Sequence, residues 1–139
     1  MNVKLIKGAV LPKHGREGDA GYDFYLLDDI KIKPRQQIAI DTGVCVEIPL
    51  HYAGLFALRS KSCNSEKHLI LKNPLADSNY RGELHIILYN DGFFRTIKFK
   101  KGDRIASLYV FSIYDKPLKS VAQLSDSNRG ESWNGSSGR

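Results

Sequence analysis

Leu84-His-Ile-Ile-Leu-Tyr-Asn-Asp-Gly-Phe-Phe-Arg-Thr-Ile-Lys-Phe-Lys-Lys-Gly-Asp-Arg-Ile-Ala-Ser-Leu-Tyr-Val-Phe111 decides the fold class of this chain. Three strand-like runs, Leu84–Tyr89, Thr96–Phe99 and Ile105–Phe111, are separated by Asn90-Asp-Gly92 and Lys101-Gly-Asp103, residue types that favour turns. In Thr96-Ile-Lys-Phe99 polar and apolar residues take turns, as a strand with one buried face requires. Asn90-Asp-Gly92 followed by a new alternating run predicts a β-hairpin.

The same pattern extends outward in both directions. Val3–Ile6, Tyr22–Leu26, Lys31–Lys33, Gln37–Ile40, Val44–Ile48, Leu55–Leu58 and Leu69–Leu71 precede the stretch, and Val121–Leu124 follows it. Lys33-Pro34 and Asp41-Thr-Gly43 supply further turn signals. Twelve glycines and five prolines spread over 139 residues exclude a helical bundle. Strands recurring at roughly ten-residue spacing predict an all-β, jelly-roll-like sandwich or barrel. One short helix is expected, over Ser62–Lys67. The length is that of one domain, and no internal repeat is visible. Residues 1–124 are read as that domain. Ser125–Arg139 holds five serines, three glycines and a single apolar side chain, Trp133, and is read as a flexible C-terminal arm.

The balance of 21 basic against 15 acidic residues, a net charge of +6, allows an anionic partner without naming one. Cys45 and Cys63 are too few for a disulfide framework, and no Cys-x-x-Cys spacing is present. Cys63 reads as a packed thiol rather than a reactive one. His14, His51, His68 and His85 show no metal-ligand spacing and read as structural or surface residues. Met1–Lys7 has no apolar signal segment and no run approaches 18 apolar residues, so a soluble, cytoplasmic protein without a membrane partner is expected. Arg95, Lys98, Lys100, Lys101 and Arg104 interleave with Phe93, Phe94 and Phe99, a composition that suits nucleic acid. Strand alternation instead turns the phenylalanines to the core and the lysines to water, so no nucleic-acid partner is expected.

Five segments carry chemistry: Asp19-Ala-Gly-Tyr-Asp-Phe24, Leu58-Arg-Ser-Lys-Ser62, Ala76-Asp-Ser-Asn-Tyr-Arg-Gly-Glu-Leu84, Lys101-Gly-Asp-Arg-Ile-Ala-Ser-Leu108 and Arg129-Gly-Glu-Ser-Trp-Asn-Gly-Ser-Ser-Gly138. In this order and at these spacings they resemble the five motifs of the trimeric dUTPases, over residues 3 to 139. The resemblance implies a homotrimer whose active sites lie at subunit interfaces, with the C-terminal arm closing over the nucleotide. It implies hydrolysis of dUTP to dUMP and pyrophosphate by water attack at the α-phosphorus. Mg²⁺ would be carried on the triphosphate and its waters, with no direct protein ligand.

The residue chemistry agrees with that assignment. Splitting a triphosphate requires an activated water, neutralised phosphate charge and firm positioning. Asp77 matches the family's general base, although an aspartate in Ala76-Asp-Ser-Asn79 is, alone, an ordinary turn residue. Arg59 and Ser60 match the pair that contacts phosphate, and Asp23 matches a carboxylate that organises the site. Asp103 and Arg104 fit a turn into the next strand, with Asp103 as a further organising residue. Tyr80 matches the tyrosine on which deoxyribose sits, and Gly82 the close backbone approach after it. Arg129, Gly135, Ser136 and Ser137 match the arm's phosphate wrap.

The departures bear on the base. Aligning on Asp77 puts Pro74 and Leu71 where the third motif's hairpin carries small or amide residues; aligning instead on Asn73-Pro74 shortens the hairpin by two residues. The shorter form is preferred, with Asn73 suited to read a pyrimidine. Lys61 adds a cation after Arg-Ser, and Ser107 replaces a glutamine, removing an amide donor. Trp133 stands one residue from the expected stacking aromatic and is expected to cover the base. Two alternatives to a dUTP hydrolase follow: the same chemistry on dCTP or a 5-substituted dUTP, and a nucleotide-binding regulatory protein with weak turnover.

Overall fold

The computed structural model of the chain describes residues 1–128 and 130, with only the backbone described at residues 63–65. Ten strands and one short helix follow one another: β1 (Asn2–Leu5), β2 (Gly21–Tyr25), β3 (Ile30–Ile32), β4 (Gln37–Glu47), β5 (Tyr52–Leu58), α1 (Ser60–Ser65), β6 (Leu69–Leu71), β7 (Leu75–Asp77), β8 (Glu83–Asn90), β9 (Ile97–Phe99) and β10 (Arg104–Ser112). Two antiparallel four-stranded sheets, ordered β1-β4-β8-β6 and β2-β10-β5-β7, and a β3-β9 ribbon make the all-β jelly roll.

Alternation builds the core. Leu84, Ile86 and Leu88 of β8 are buried with Phe24 of β2, Phe56 of β5 and Leu108 of β10 in one cluster. The Phe24 and Phe56 rings meet edge to face, 5.0 Å between centroids.

Several sequence expectations are corrected. Asp41-Thr-Gly43 is not a turn between two strands but an irregularity inside the single strand β4, whose register against β8 shifts between Asp41 and Cys45. Gly43 has φ +67°, and the Thr42 hydroxyl donates to the Leu84 carbonyl at 2.6 Å, so turn-type residues here build a bulge. Asn90-Asp-Gly92 does not close a hairpin, because β8 pairs with β4 and β6 while β9 pairs with β3. Asn90 is fully buried, its amide donating to the Arg95 carbonyl and to the Ile32 carbonyl of β3, and that tertiary bond prevails over local turn preference. Phe93 and Phe94 are 71% and 99% exposed rather than core residues, since the segment between β8 and β9 is not a strand and imposes no alternation. Val121–Leu124 is exposed and forms no strand. The helix begins earlier than expected, with Arg59 as its extended cap.

The chain around β7 creates the opening that matters most. β6 joins one sheet, β7 crosses to the other, and β8 returns to the first. The third motif is therefore not a closed two-stranded hairpin; its strands splay to opposite layers and leave a gap at the sandwich edge.

Candidate functional site

That gap is a cavity of about 210 Å³ lined by Asn73, Asp77, Tyr80, Glu83 and His85, with Phe56 among the residues that close it. Asp77 ends β7 with an exposed side chain, and its carbonyl accepts from the Tyr80 amide at 3.2 Å. The Tyr80 hydroxyl donates to the Glu83 carbonyl at 3.0 Å. A Cβ on Gly82 would run into the Tyr80 ring, which explains the glycine in this motif. Asn73 is already engaged: its Nδ2 donates to the His85 carbonyl at 3.2 Å, and its Oδ1 accepts from the Ile87 amide at 2.9 Å. One N–H and one lone pair remain, so base reading by Asn73 is narrower than its side chain suggests in isolation.

A second cavity, about 250 Å³, gathers Asp23, Arg59, Ser60, Lys61, Ser107 and Tyr109. Asp23 is 2% exposed and lies at the centre of a charge network. Arg59 Nη1 pairs with its Oδ1, the Ser107 hydroxyl donates to the same oxygen at 2.7 Å, and Arg104 Nη1 donates to Oδ2 at 3.1 Å. Both carboxylate oxygens thus face cations or a donor, as a buried charge requires. Ser107 still supplies a donor where the family glutamine is missing, and directs it at Asp23.

Arg104, which the sequence marks as a structural or interfacial residue beside a turn, braces the buried Asp23 carboxylate. Its register against β2 is irregular, and residues 104 and 23 are far apart in sequence, so no spacing announced the contact. Asp103 behaves as a turn residue: its carboxylate accepts from the Lys100 amide at 2.8 Å and its carbonyl from the Leu26 amide. It lines a neighbouring cavity with Arg59 and Lys61 but does not touch Asp23's network. Arg129, Trp133, Gly135, Ser136 and Ser137 lie outside the described residues, as does the Cys63 side chain.

The two cavities stand apart, one at the sandwich edge between the layers and the other on the outer face of the β2-β10-β5-β7 sheet. Asp23 pairs with Ser107 and Ser107 with Ala57; Tyr109 pairs with Leu55 and Leu55 with Leu75; Phe111 pairs with Ala53 and Ala53 with Asp77. Paired residues in a sheet project to the same side. This outward face therefore carries Asp23 at one corner, Asp77 at the opposite corner, and exposed Leu55, Leu75, Tyr109 and Phe111 between them. Asp77 sits beside Ala53 near the start of β5, whereas Arg59 follows its end; six residues of strand put about 20 Å between them.

A third group lies behind the Tyr80 loop. Ligand-type atoms of Asp41, Glu83 and His85 fall within 4.8 Å of one another, Glu83 and His85 two residues apart on β8 and Asp41 beside them on β4, a partner that no spacing announces. The Lys7 ammonium already occupies the acidic pair, 2.8 Å from Asp41 and 3.0 Å from Glu83. Hydrogen bonds to both carboxylates hold Lys7 above its ordinary pKa, and the Lys7 bond holds Asp41 below its own. Burial pushes Glu83 up, but the Gly43 N–H and Lys7 outweigh it and leave the group lowered. The Asp23 cavity offers the cations Arg59 and Lys61, the Ser60 and Ser107 hydroxyls and one exposed carboxylate, Asp19, whose Oδ2 accepts from the Arg16 amide at 2.9 Å; this cation-rich lining suits phosphates carrying their own Mg²⁺.

No helix among the described residues is long and apolar enough to cross a membrane. Comparison with known proteins gives a consistent family. The dUTPase family model matches residues 7–138. The deoxyuridine 5′-triphosphate nucleotidohydrolase of Clostridioides difficile is 38% identical over 136 residues, covering 97% of this chain and 94% of its own. The enzyme of the same name from Paramecium bursaria Chlorella virus 1 is 38% identical over 135 residues, with the same coverage. A variant of the Staphylococcus bacteriophage 80alpha dUTPase, solved with dUpNHpp, superposes with a TM-score of 0.89 at 32% identity, covering 99% of this chain and 98% of that one. A phage phi11 dUTPase variant, described with a structural Mg(II) ion, superposes at 0.79 with 27% identity over 88% of this chain and 96% of its own. With described residues of the first four motifs lining two cavities of a jelly roll and the match running nearly end to end, this chain belongs to the dUTPase family.

Proposed function

We propose that the chain hydrolyses dUTP to dUMP and pyrophosphate, in the cytoplasm, at sites shared between the copies of a homotrimer. The observation that carries this reading is the separation of the two cavities. Asp77, paired with Ala53, stands about 20 Å along β5 from Arg59, farther than one phosphate can bridge, yet on the sheet face that carries Asp23, the partner of Arg59. A neighbouring subunit packed over the intervening Leu55, Leu75, Tyr109 and Phe111 would bury that apolar belt and bring one copy's Asp77 to another copy's Arg59.

In such a site Tyr80 seats the deoxyribose, its ring closing the space a 2′-hydroxyl would need. Asp77 takes the proton of a water aligned with the α-phosphorus. As that water attacks, charge builds on the phosphate oxygens, and Arg59, Ser60 and Lys61 stabilise it. Asp23, with Arg104 and Ser107, orients the Arg59 guanidinium before substrate arrives. Mg²⁺, when bound on the triphosphate, would add charge neutralisation to that of Arg59 and Lys61. Arg129 and the Gly135-Ser-Ser137 segment wrap the phosphates from the arm, and Trp133 covers the base.

Pyrophosphate release from dUTP, dCTP, dTTP and UTP in parallel, with Asp77→Asn as control, tests the assignment. Turnover of dUTP that is lost in the variant is expected. Turnover of another deoxynucleotide instead would make the altered third motif a specificity change. Binding without turnover would replace the enzyme reading with a regulatory one.

A further inference from the structure

We infer that Lys7 and Glu83 form a clamp that positions Tyr80, and through it sets discrimination between deoxyribonucleotides and ribonucleotides; this rests on the functional reading above. Tyr80 is itself largely exposed, at 46%, and no core packing fixes its ring. Its backbone is held by the Asp77 carbonyl and the Arg81 guanidinium, and its ring by two further contacts, one against Gly82 and one from its hydroxyl to the Glu83 carbonyl at 3.0 Å. Both contacts belong to the same short segment, so the ring is only as well placed as Glu83.

Glu83 is held from β4 and from the turn that follows β1. Its Oε1 accepts from the Gly43 amide at 2.8 Å, within the β4 bulge, and its Oε2 accepts from the Lys7 ammonium at 3.0 Å. The carboxylate is 11% exposed, so these bonds are shielded from water more than an open surface pair. Lys7 reaches it from a left-handed backbone conformation, φ +54°, just beyond β1. The Ile6 amide bonds the Gly43 carbonyl at 2.8 Å and ties that turn to the same bulge. Three segments distant in sequence thus converge behind one substrate-facing tyrosine.

Lys7 also separates two carboxylates. Without its ammonium, Asp41 and Glu83 face each other with only His85 nearby, its Nδ1 3.1 Å from Asp41. Repulsion would then push Glu83 away from Gly43 and release the Tyr80 hydroxyl. Lys7 and Glu83 are positioning residues: neither lies where the reacting phosphorus would be.

The test uses the full chain and non-hydrolysable imido analogues of dUTP and UTP, with affinities measured by calorimetry. Amide hydrogen exchange at residues 80–84 is measured on the free protein. In Lys7→Ala the ratio of deoxy to ribo affinity is expected to fall about tenfold, with faster exchange at residues 80–84, and Lys7→Arg to restore both. Glu83→Gln, which keeps the Gly43 bond but loses the charge, is expected to fall between. Unchanged exchange in Lys7→Ala overturns the clamp whatever the nucleotide results. Faster exchange with an unchanged affinity ratio overturns the link to sugar discrimination. Wild-type protein that binds neither analogue overturns the functional reading, while the exchange data still decide the clamp.

Discussion

Replacing Asp23 by alanine should be among the most damaging single changes to this fold outside its apolar core. The carboxylate is almost fully buried and receives two guanidinium groups and a hydroxyl. Removing it leaves Arg59 and Arg104 facing each other and Ser107 without its acceptor. Breaking a buried ion pair costs about 3–5 kcal/mol, chiefly because the stranded charge has lost its partner. Here the arginine side chains are 29% and 42% exposed, so water recovers part of their solvation. That places the cost at the low end, about 3 kcal/mol. For a domain of this length, each kcal/mol shifts Tm by about 3 °C, so Asp23→Ala should melt about 9 °C below wild type. Asp23→Asn keeps the shape and the Ser107 bond and should lose about half as much. Calorimetry at one fixed protein concentration is the assay, because an oligomer's Tm depends on concentration. A loss below about 2 °C for Asp23→Ala would refute the reasoning, since it would mean the network contributes little beyond solvated surface pairs.

Other outcomes follow from the same geometry. Glu83 titrates below its ordinary value of 4.5, so its contribution is complete above that pH and lost as the pH falls through the folded value. The Tm difference between wild type and Glu83→Gln should therefore hold near neutrality and close on acidification, as melting curves against pH will show. Gly43→Ala should cost about 2–4 kcal/mol in urea unfolding. Its φ is +67°, and a Cβ would stand 2.6 Å from the Ile6 carbonyl oxygen. Leu55→Glu combined with Leu75→Glu should convert a trimer to monomers by light scattering while the β-type circular dichroism persists.

Much of this architecture was legible because alternation and turn residues are local signals. β8 and β10 sit where their apolar periodicity put them, and Asp77 with Tyr80, and Arg59 with Ser60, do meet in cavities. What escaped depended on distant partners. Asn90-Asp-Gly92 carries a hairpin's residues, yet the buried bond from Asn90 to Ile32, far off in sequence, sends the chain elsewhere. Asp41-Thr-Gly43 carries a turn's residues, and β8 alongside turns them into a bulge. Arg104 on Asp23 and Lys7 on Glu83 join residues 81 and 76 positions apart, which no motif spacing encodes. Asn73 looked free to read a base only because its bonds to β8 are long-range.

Subunit complementation tests the central claim, a site that takes Asp77 from one copy and Arg59 from another. Asp77→Asn and Arg59→Ala are each expected to be inactive. Unfolded together in equal amounts and refolded, they form mixed trimers in which about a quarter of the interfaces pair an intact Asp77 with an intact Arg59. Recovery of about a quarter of wild-type dUTP hydrolysis is the predicted result. Mixed trimers that form but remain inactive would contradict the shared site.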